Sequence, residues 1–290
     1  MPIDNVISVA CVKDLPVWRI AAPMILKHTA AVRYTLIVPP EDTASFRSAT
    51  PPEFDIVSET CILVDAKQHL ARRLAETKSA ERVGWYYQQL LKIAACASCD
   101  GERVLIWDAD TIPLRRLKYF DESQRPIFYK GVERHGPYFG LIEHLLGLRR
   151  NVSFSFIAQS FPVRKSWLLE CLDAIEARSG TDWISAIIAG LDPDETSGFS
   201  EYETMGAFFV SSHRSEMKVT SARWHRRGNI LVGGVDRLTD KKMKLLSRIY
   251  DYVSFESWDI SRYSALKCCW TILRSAFQRR TIKPIALLPR

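Results

Sequence analysis

Through the first 110 residues, short apolar runs alternate with stretches whose apolar positions recur at helical spacing. Residues 6–12, 34–38, 62–64 and 103–107 read as strands, and 16–27 and 84–99 read as helices. The run Arg103-Val-Leu-Ile-Trp107 is continuously apolar after its first residue, as expected of a strand covered on both faces, and it stops at Asp108. Farther along, 126–130 and 154–161 read as strands, 140–148, 166–177 and 182–189 as helices, and 190–200 as a loop rich in Asp, Gly, Pro and Ser. Strands alternating with helices predict an α/β fold with a mainly parallel sheet flanked by helices. In such sheets ligands collect at the carboxyl ends of the strands. No repeat or linker divides the chain, so one domain is expected over 1–240, followed by a basic helical appendage over 241–290.

Composition excludes several classes. With 290 residues, 47% of them hydrophobic and 25% charged, the chain can bury a sizeable core and is neither disordered nor fibrous. No apolar run reaches the roughly 20 residues that a membrane span requires. The amino terminus, Met1-Pro-Ile-Asp-Asn5, lacks the basic flank and apolar run of a cleaved secretory signal. Seven cysteines, an odd number, suit a reducing compartment, and a cytoplasmic location is expected. Cys96 and Cys99 have redox or zinc spacing, but they fall at a helix end and no second pair completes a site.

The net charge of +7 suggests nucleic acid until it is mapped along the chain. Residues 1–240 hold 29 Lys and Arg against 30 Asp and Glu, whereas residues 241–290 hold 11 against 3. A neutral body argues against a nucleic-acid partner. In the tail, Leu266, Trp270, Leu273 and Phe277 recur at helical spacing beside Lys267, Arg274, Arg279 and Arg280. That pattern fits an interfacial helix on an anionic membrane, where each basic residue contributes about 1 kcal/mol, and equally fits a helix packed on the body. The former places the protein peripherally on the inner face of the cell membrane. A basic module for membrane or nucleic acid is the non-enzyme alternative.

Asp108-Ala-Asp110-Thr carries the strongest chemical signal. Two carboxylates two residues apart in extended chain point to the same side and can share a hard cation, Mn²⁺ or Mg²⁺, whose remaining ligands come from water and phosphate. The bland alternative is an acidic pair that ends a strand and caps a turn. A haloacid dehalogenase-like phosphatase also uses Asp-x-Asp, but Ile112 occupies the fifth position and the motif lies far from the amino terminus. Upstream, Gln88 and Lys92 share a helix face, so Lys92 could reach a phosphate or ribose, or simply be solvated. Glu201 and Glu203 could supply a general base or hold a sugar hydroxyl, or merely complement a helix dipole.

Gly84-Trp-Tyr-Tyr-Gln88-Gln89-Leu-Leu-Lys92 followed by Leu105-Ile-Trp-Asp108-Ala-Asp110-Thr resembles the metal-dependent, nucleotide-sugar-using glycosyltransferases of GT-A fold, in their glycogenin-like and lipopolysaccharide galactosyltransferase-like branch. The resemblance covers roughly residues 6–230. It implies that Ala10, Lys13 and Asp14 lie near the nucleotide, that Asp108 meets ribose or metal, and that Asp110 binds metal. Phe199-Ser-Glu201-Tyr-Glu203 resembles the acidic segment facing the donor sugar, although Tyr202 replaces that branch's amide. Gln159 and Ser160 fall where such enzymes hold donor-sugar hydroxyls, and His225, ahead of His213, would complete the metal shell. The activity implied is transfer of a sugar from a nucleotide-diphosphate sugar to a glycan or lipid-linked acceptor in surface polysaccharide synthesis.

Overall fold

A computed structural model describes residues 3–259. The amino-terminal half runs β1 (Ile3–Val9), α1 (Leu15–His28), β2 (Ala31–Val38), α2 (Thr43–Arg47), β3 (Phe54–Ser58), α3 (Ala66–Leu74), α4 (Val83–Ser98) and β4 (Arg103–Trp107). There follow β5 (Thr111–Pro113), β6 (Ile127–Tyr129), α5 (Gly136–Leu146), β7 (Ser160–Arg164), α6 (Lys165–Ser179), α7 (Trp183–Gly190) and α8 (Glu201–Ser212). The described chain closes with β8 (Lys218–Thr220), β9 (Trp224–His225), α9 (Gly228–Val232), α10 (Asp240–Ile249) and β10 (Tyr252–Ser254).

The main sheet has the order β3-β2-β1-β4-β7, parallel except for the antiparallel edge strand β7. It is therefore the mainly parallel α/β sheet that the alternation of strands and helices implied. Side chains divide between its faces with a period of two. Val6, Leu36 and Leu105 pack on one face with Trp18 and Ala22 of α1 and with Phe46. Ile7, Ile37 and Ile106 pack on the other with Leu90, Leu91 and Ile93 of α4 and with Leu168 of α6. Both faces are dry, which is why the central strands are almost entirely apolar.

Three expectations are corrected. The third strand is Phe54–Ser58 rather than 62–64; a single helical turn, Glu59–Cys61, lies between the two segments, and Ile62 and Leu63 only pack against the core from the side. The extended segment 154–161 touches a neighbour through a bridge from Ser155 to Gly131, and ladder pairing begins only at Ser160. Gln159 causes the delay, because its φ of +61° turns the chain just before β7. The body also does not end at 240. Strand β10 pairs antiparallel with β5 and parallel with β9, and Tyr250, Tyr252, Val253 and Phe255 are each no more than 3% exposed. These residues supply core that an appendage would not. The amphipathic pattern at 266–277 lies outside the described residues.

Behind the carboxyl edge of the sheet, an aromatic cluster joins β6, β7 and α8. Phe161 sits 5.0 Å from Phe128 and 5.9 Å from Phe209 between ring centroids, and stacks on Tyr202 at 5.4 Å with 10° between planes. Phe161 is 1% exposed, so Phe161→Ala is expected to cost about 3–5 kcal/mol. A lowered urea midpoint at unchanged slope would show this; an unchanged midpoint would mean the cluster can repack around the loss.

Candidate functional site

Strand β4 delivers Asp108 and Asp110 to the sheet edge in a turn pinned from several directions. The Asp108 amide donates to the Gln159 carbonyl at 3.1 Å, the Thr111 amide to the Asp108 carbonyl at 3.0 Å, and the Phe255 amide to the Asp110 carbonyl at 2.8 Å. Inside the turn, the Trp107 indole N–H donates to the Thr111 carbonyl at 2.7 Å, and the Thr111 and Ser254 hydroxyls bond at 2.7 Å. The carboxylates are thus carried on backbone that neighbouring strands hold in place.

Helix α4 brings Lys92 to the same place. Its ammonium, nearly buried, donates to Asp108 Oδ1 at 2.5 Å and to Glu201 Oε1 at 2.8 Å, and lies 3.4 Å from the Tyr202 hydroxyl. Tyr202 in turn donates to Asp108 Oδ1 at 2.6 Å. Burial alone would lower the Lys92 pKa, but Asp108 and Glu201 override it and hold the ammonium charged. Helix α8 enters this arrangement through its first turn. Ser200 caps it by accepting from the Glu203 amide at 3.3 Å, and the Glu201 amide donates to the Gln89 side chain at 3.1 Å.

These groups line a cavity of about 340 Å³. Six carboxylates face it, Asp14, Asp108, Asp110, Glu133, Glu201 and Glu256, against three cations, Arg82, Lys92 and Arg226. Asp110 feels the excess most. Burial first, then the charges of Asp108, Glu256 and Asp14, push its carboxyl well above the ordinary carboxylate range. Opposite, Gln159 donates to Glu256 at 3.2 Å, while Arg226 bonds both Glu256 and Glu133, and the Trp258 indole also donates to Glu256.

Of the expected residues, the structure brings together Asp14, Gln88, Lys92, Asp108, Asp110, Gln159 and Glu201 around this cavity. Five lie elsewhere. Ala10 is buried in the core beside β1, and Lys13 is exposed on the turn that follows it. Ser160 accepts from the Tyr119 hydroxyl at 2.9 Å, because side chains alternate along β7 and its own points away from Gln159. Glu203 takes bonds from the Ser155 hydroxyl and from the Phe156 amide at 3.2 Å, so its carboxylate secures the 154–157 segment outside the cavity. His225 lines a second cavity, where its Nδ1 accepts from the Arg227 amide at 3.0 Å. His213 is stacked on Trp167 at 4.3 Å and bonded to Glu170 at 2.8 Å. Neither histidine is brought to the aspartates.

Sequence reading missed Arg82, Gln89, Glu133, Arg226 and Glu256. Gln89 stood inside the helix motif without a role, and Glu256 lay past the assumed boundary at 240. Glu133 and Arg226 had no local signal, since only the fold makes them neighbours.

No group of three or more His, Cys, Asp or Glu able to enclose a metal occurs among the described residues. Asp108 and Asp110 still fit a hard cation of the Mg²⁺ or Mn²⁺ kind. Such ions are commonly held by one or two carboxylates and completed by water and substrate phosphates. The strongly disfavoured second negative charge at Asp110 is what a bound cation would relieve.

No curated protein matches the chain. Among solved structures, the chain is similar to galactosyltransferase LgtC in complex with donor and acceptor sugar analogs, at TM-score 0.46, and to an active-site mutant of LgtC, at TM-score 0.49. Each match has 10% sequence identity and covers 97% of both chains. A sequence profile described as a family of unknown function, DUF6492, matches residues 23–226. With more than half of its length matched, the chain belongs to the DUF6492 family.

Proposed function

We propose that the protein is a metal-dependent glycosyltransferase of GT-A type. In this reading it moves a hexose from a nucleotide-diphosphate sugar to a glycan or lipid-linked acceptor in surface polysaccharide synthesis, in the cytoplasm at the inner face of the cell membrane. The observation that carries the reading is the convergence of Asp108, Asp110, Lys92 and Glu201 in one anionic cavity at the carboxyl end of β4. A cavity with six carboxylates and three cations repels a bare diphosphate. A divalent cation held by Asp110 and Asp108 would offset most of that excess and, when bound, would supply positive charge against the departing diphosphate.

The chain's own groups divide the remaining work. Lys92 has its ammonium hydrogens directed at Asp108, Glu201 and Tyr202, so it positions Asp108 rather than meeting phosphate. Tyr202 shares this task, which gives the tyrosine a role different from that of an amide. Asp14 and Gln88 face the nucleotide, and Gln159 faces the donor sugar. Glu201 keeps one carboxylate oxygen for a sugar hydroxyl while the other stays on Lys92. Glu201, not Glu203, is the carboxylate of the acidic segment that can touch substrate.

The first test is a thermal-shift panel of nucleoside diphosphates and nucleotide sugars with and without Mn²⁺. Saturating ligand at a hundredfold its Kd should stabilise the protein by about 2.7 kcal/mol, only when the metal is present. Asp110→Ala should abolish both this shift and nucleotide-sugar turnover without lowering the unliganded Tm, because it removes a carboxylate crowded by others. A panel with no metal-dependent shift, or full turnover in Asp110→Ala, would overturn the reading. Separately, Lys92→Met should cost about 3–5 kcal/mol in denaturant titrations, since Asp108 and Glu201 lose their shared partner. Glu201→Gln should cost less in the Lys92→Met background than in the parent; an equal cost in both backgrounds would show that the pair is not coupled.

A further inference from the structure

A second cavity, of about 1020 Å³, adjoins the first and shares Glu133, Ile157 and Arg226 with it. Its charge is opposite. Lys130, Arg134, Arg223, Arg226 and Arg227 line it against one carboxylate, Glu133. Arg226 is committed to Glu133 and Glu256, and Arg223 to Asp251 at 2.6 Å. Lys130, Arg134 and Arg227 form no salt bridge among the described residues, although the charge of Arg227 reaches Asp259. Arg134 donates to the Ser153 carbonyl at 3.3 Å, Lys130 lies 5.7 Å from the Phe154 ring centroid, and Arg227 lies 5.6 Å from that of Trp258. All three are exposed. The cavity is also lined by Trp224 and Phe154, whose ring faces suit the C–H faces of a pyranose.

A sugar acceptor must reach the donor's anomeric carbon, so its chamber must be continuous with the donor chamber. These two cavities share a wall, and the second combines exposed cations with aromatic rings. Resting on the glycosyltransferase reading, we propose that this second cavity is the acceptor subsite and that it selects an anionic glycan, bearing a phosphate or a carboxylate, over a neutral one. Guanidinium groups bind both oxyanions through paired N–H donors, and Lys130 adds a point charge. A single cationic contact to a charged group is worth enough to discriminate about tenfold.

The test is calorimetric titration of the full chain with three disaccharides of one skeleton: neutral, phosphorylated, and oxidised to the uronate. The anionic sugars should bind about tenfold tighter than the neutral one, with the advantage shrinking as salt rises. The phosphorylated and uronate arms identify which oxyanion the site prefers. In Lys130→Ala/Arg134→Ala/Arg227→Ala the advantage should disappear, while the Mn²⁺-dependent nucleotide shift stays as in the parent. If that triple variant fails to fold, the single exposed-site variants Lys130→Ala and Arg134→Ala should each reduce the advantage severalfold. Equal binding of neutral and anionic sugars, or an advantage that survives these substitutions, overturns the inference. Nucleotide-sugar turnover is read separately: turnover without charge preference sinks this inference alone, whereas absent turnover with every donor sinks the glycosyltransferase reading.

Discussion

A buried ammonium group organises this molecule. Taking the Lys92 charge out of water costs several kcal/mol unless partners surround it, and the partners come from two distant parts of the chain: Asp108 after β4 and Glu201 at the start of α8. Each can satisfy Lys92 only if α4, β4 and α8 meet within hydrogen-bonding distance. Tyr202 tightens the arrangement, because its hydroxyl bonds Asp108 while its ring is stacked on Phe161 in the core. The polar site and the apolar core therefore specify one another. A slip of α8 by one residue would strand an ammonium and a carboxylate together.

Charge is segregated over a short distance. The near balance of charges over residues 1–240 conceals an anionic cavity beside a cationic one. Counting along the chain is blind to this, because Lys130 and Arg134 are brought beside Arg227 only by the fold. A neutral total is compatible with a small, local preference for anions.

What was legible in the sequence follows from how local its cause is. Strand β4 has the bounds 103–107 because burial on both faces leaves an unbroken apolar run, and Asp108 marks where that burial ends. Lys92 was found by helical spacing, but its burial was not, since nothing local separates a solvated lysine from one that two remote carboxylates hold. Glu201 and Glu203 looked equivalent in sequence, yet a helix turns them roughly 200° apart, so one enters the cavity and the other secures Ser155. His225 lies on β9 and lines the neighbouring cavity, beside Arg226, rather than the one that holds the aspartates. Glu256 was obscured because it lies past residue 240, in a stretch that holds 11 basic residues against 3 acidic ones, which made a core strand and its carboxylate look like part of a tail.

The wall between the cavities is shared by Glu133, Ile157 and Arg226, whose guanidinium is bonded to Glu133 and Glu256 at once. Such a wall separates space without insulating charge. An anion on the cationic side competes with Glu256 for that guanidinium, and a cation among the aspartates competes with the guanidinium for Glu256. Occupying either chamber therefore shifts the free energy of filling the other, and thermodynamic reciprocity makes the two shifts equal. Arg226 thus makes the order in which ligands arrive a matter of electrostatics as well as of access.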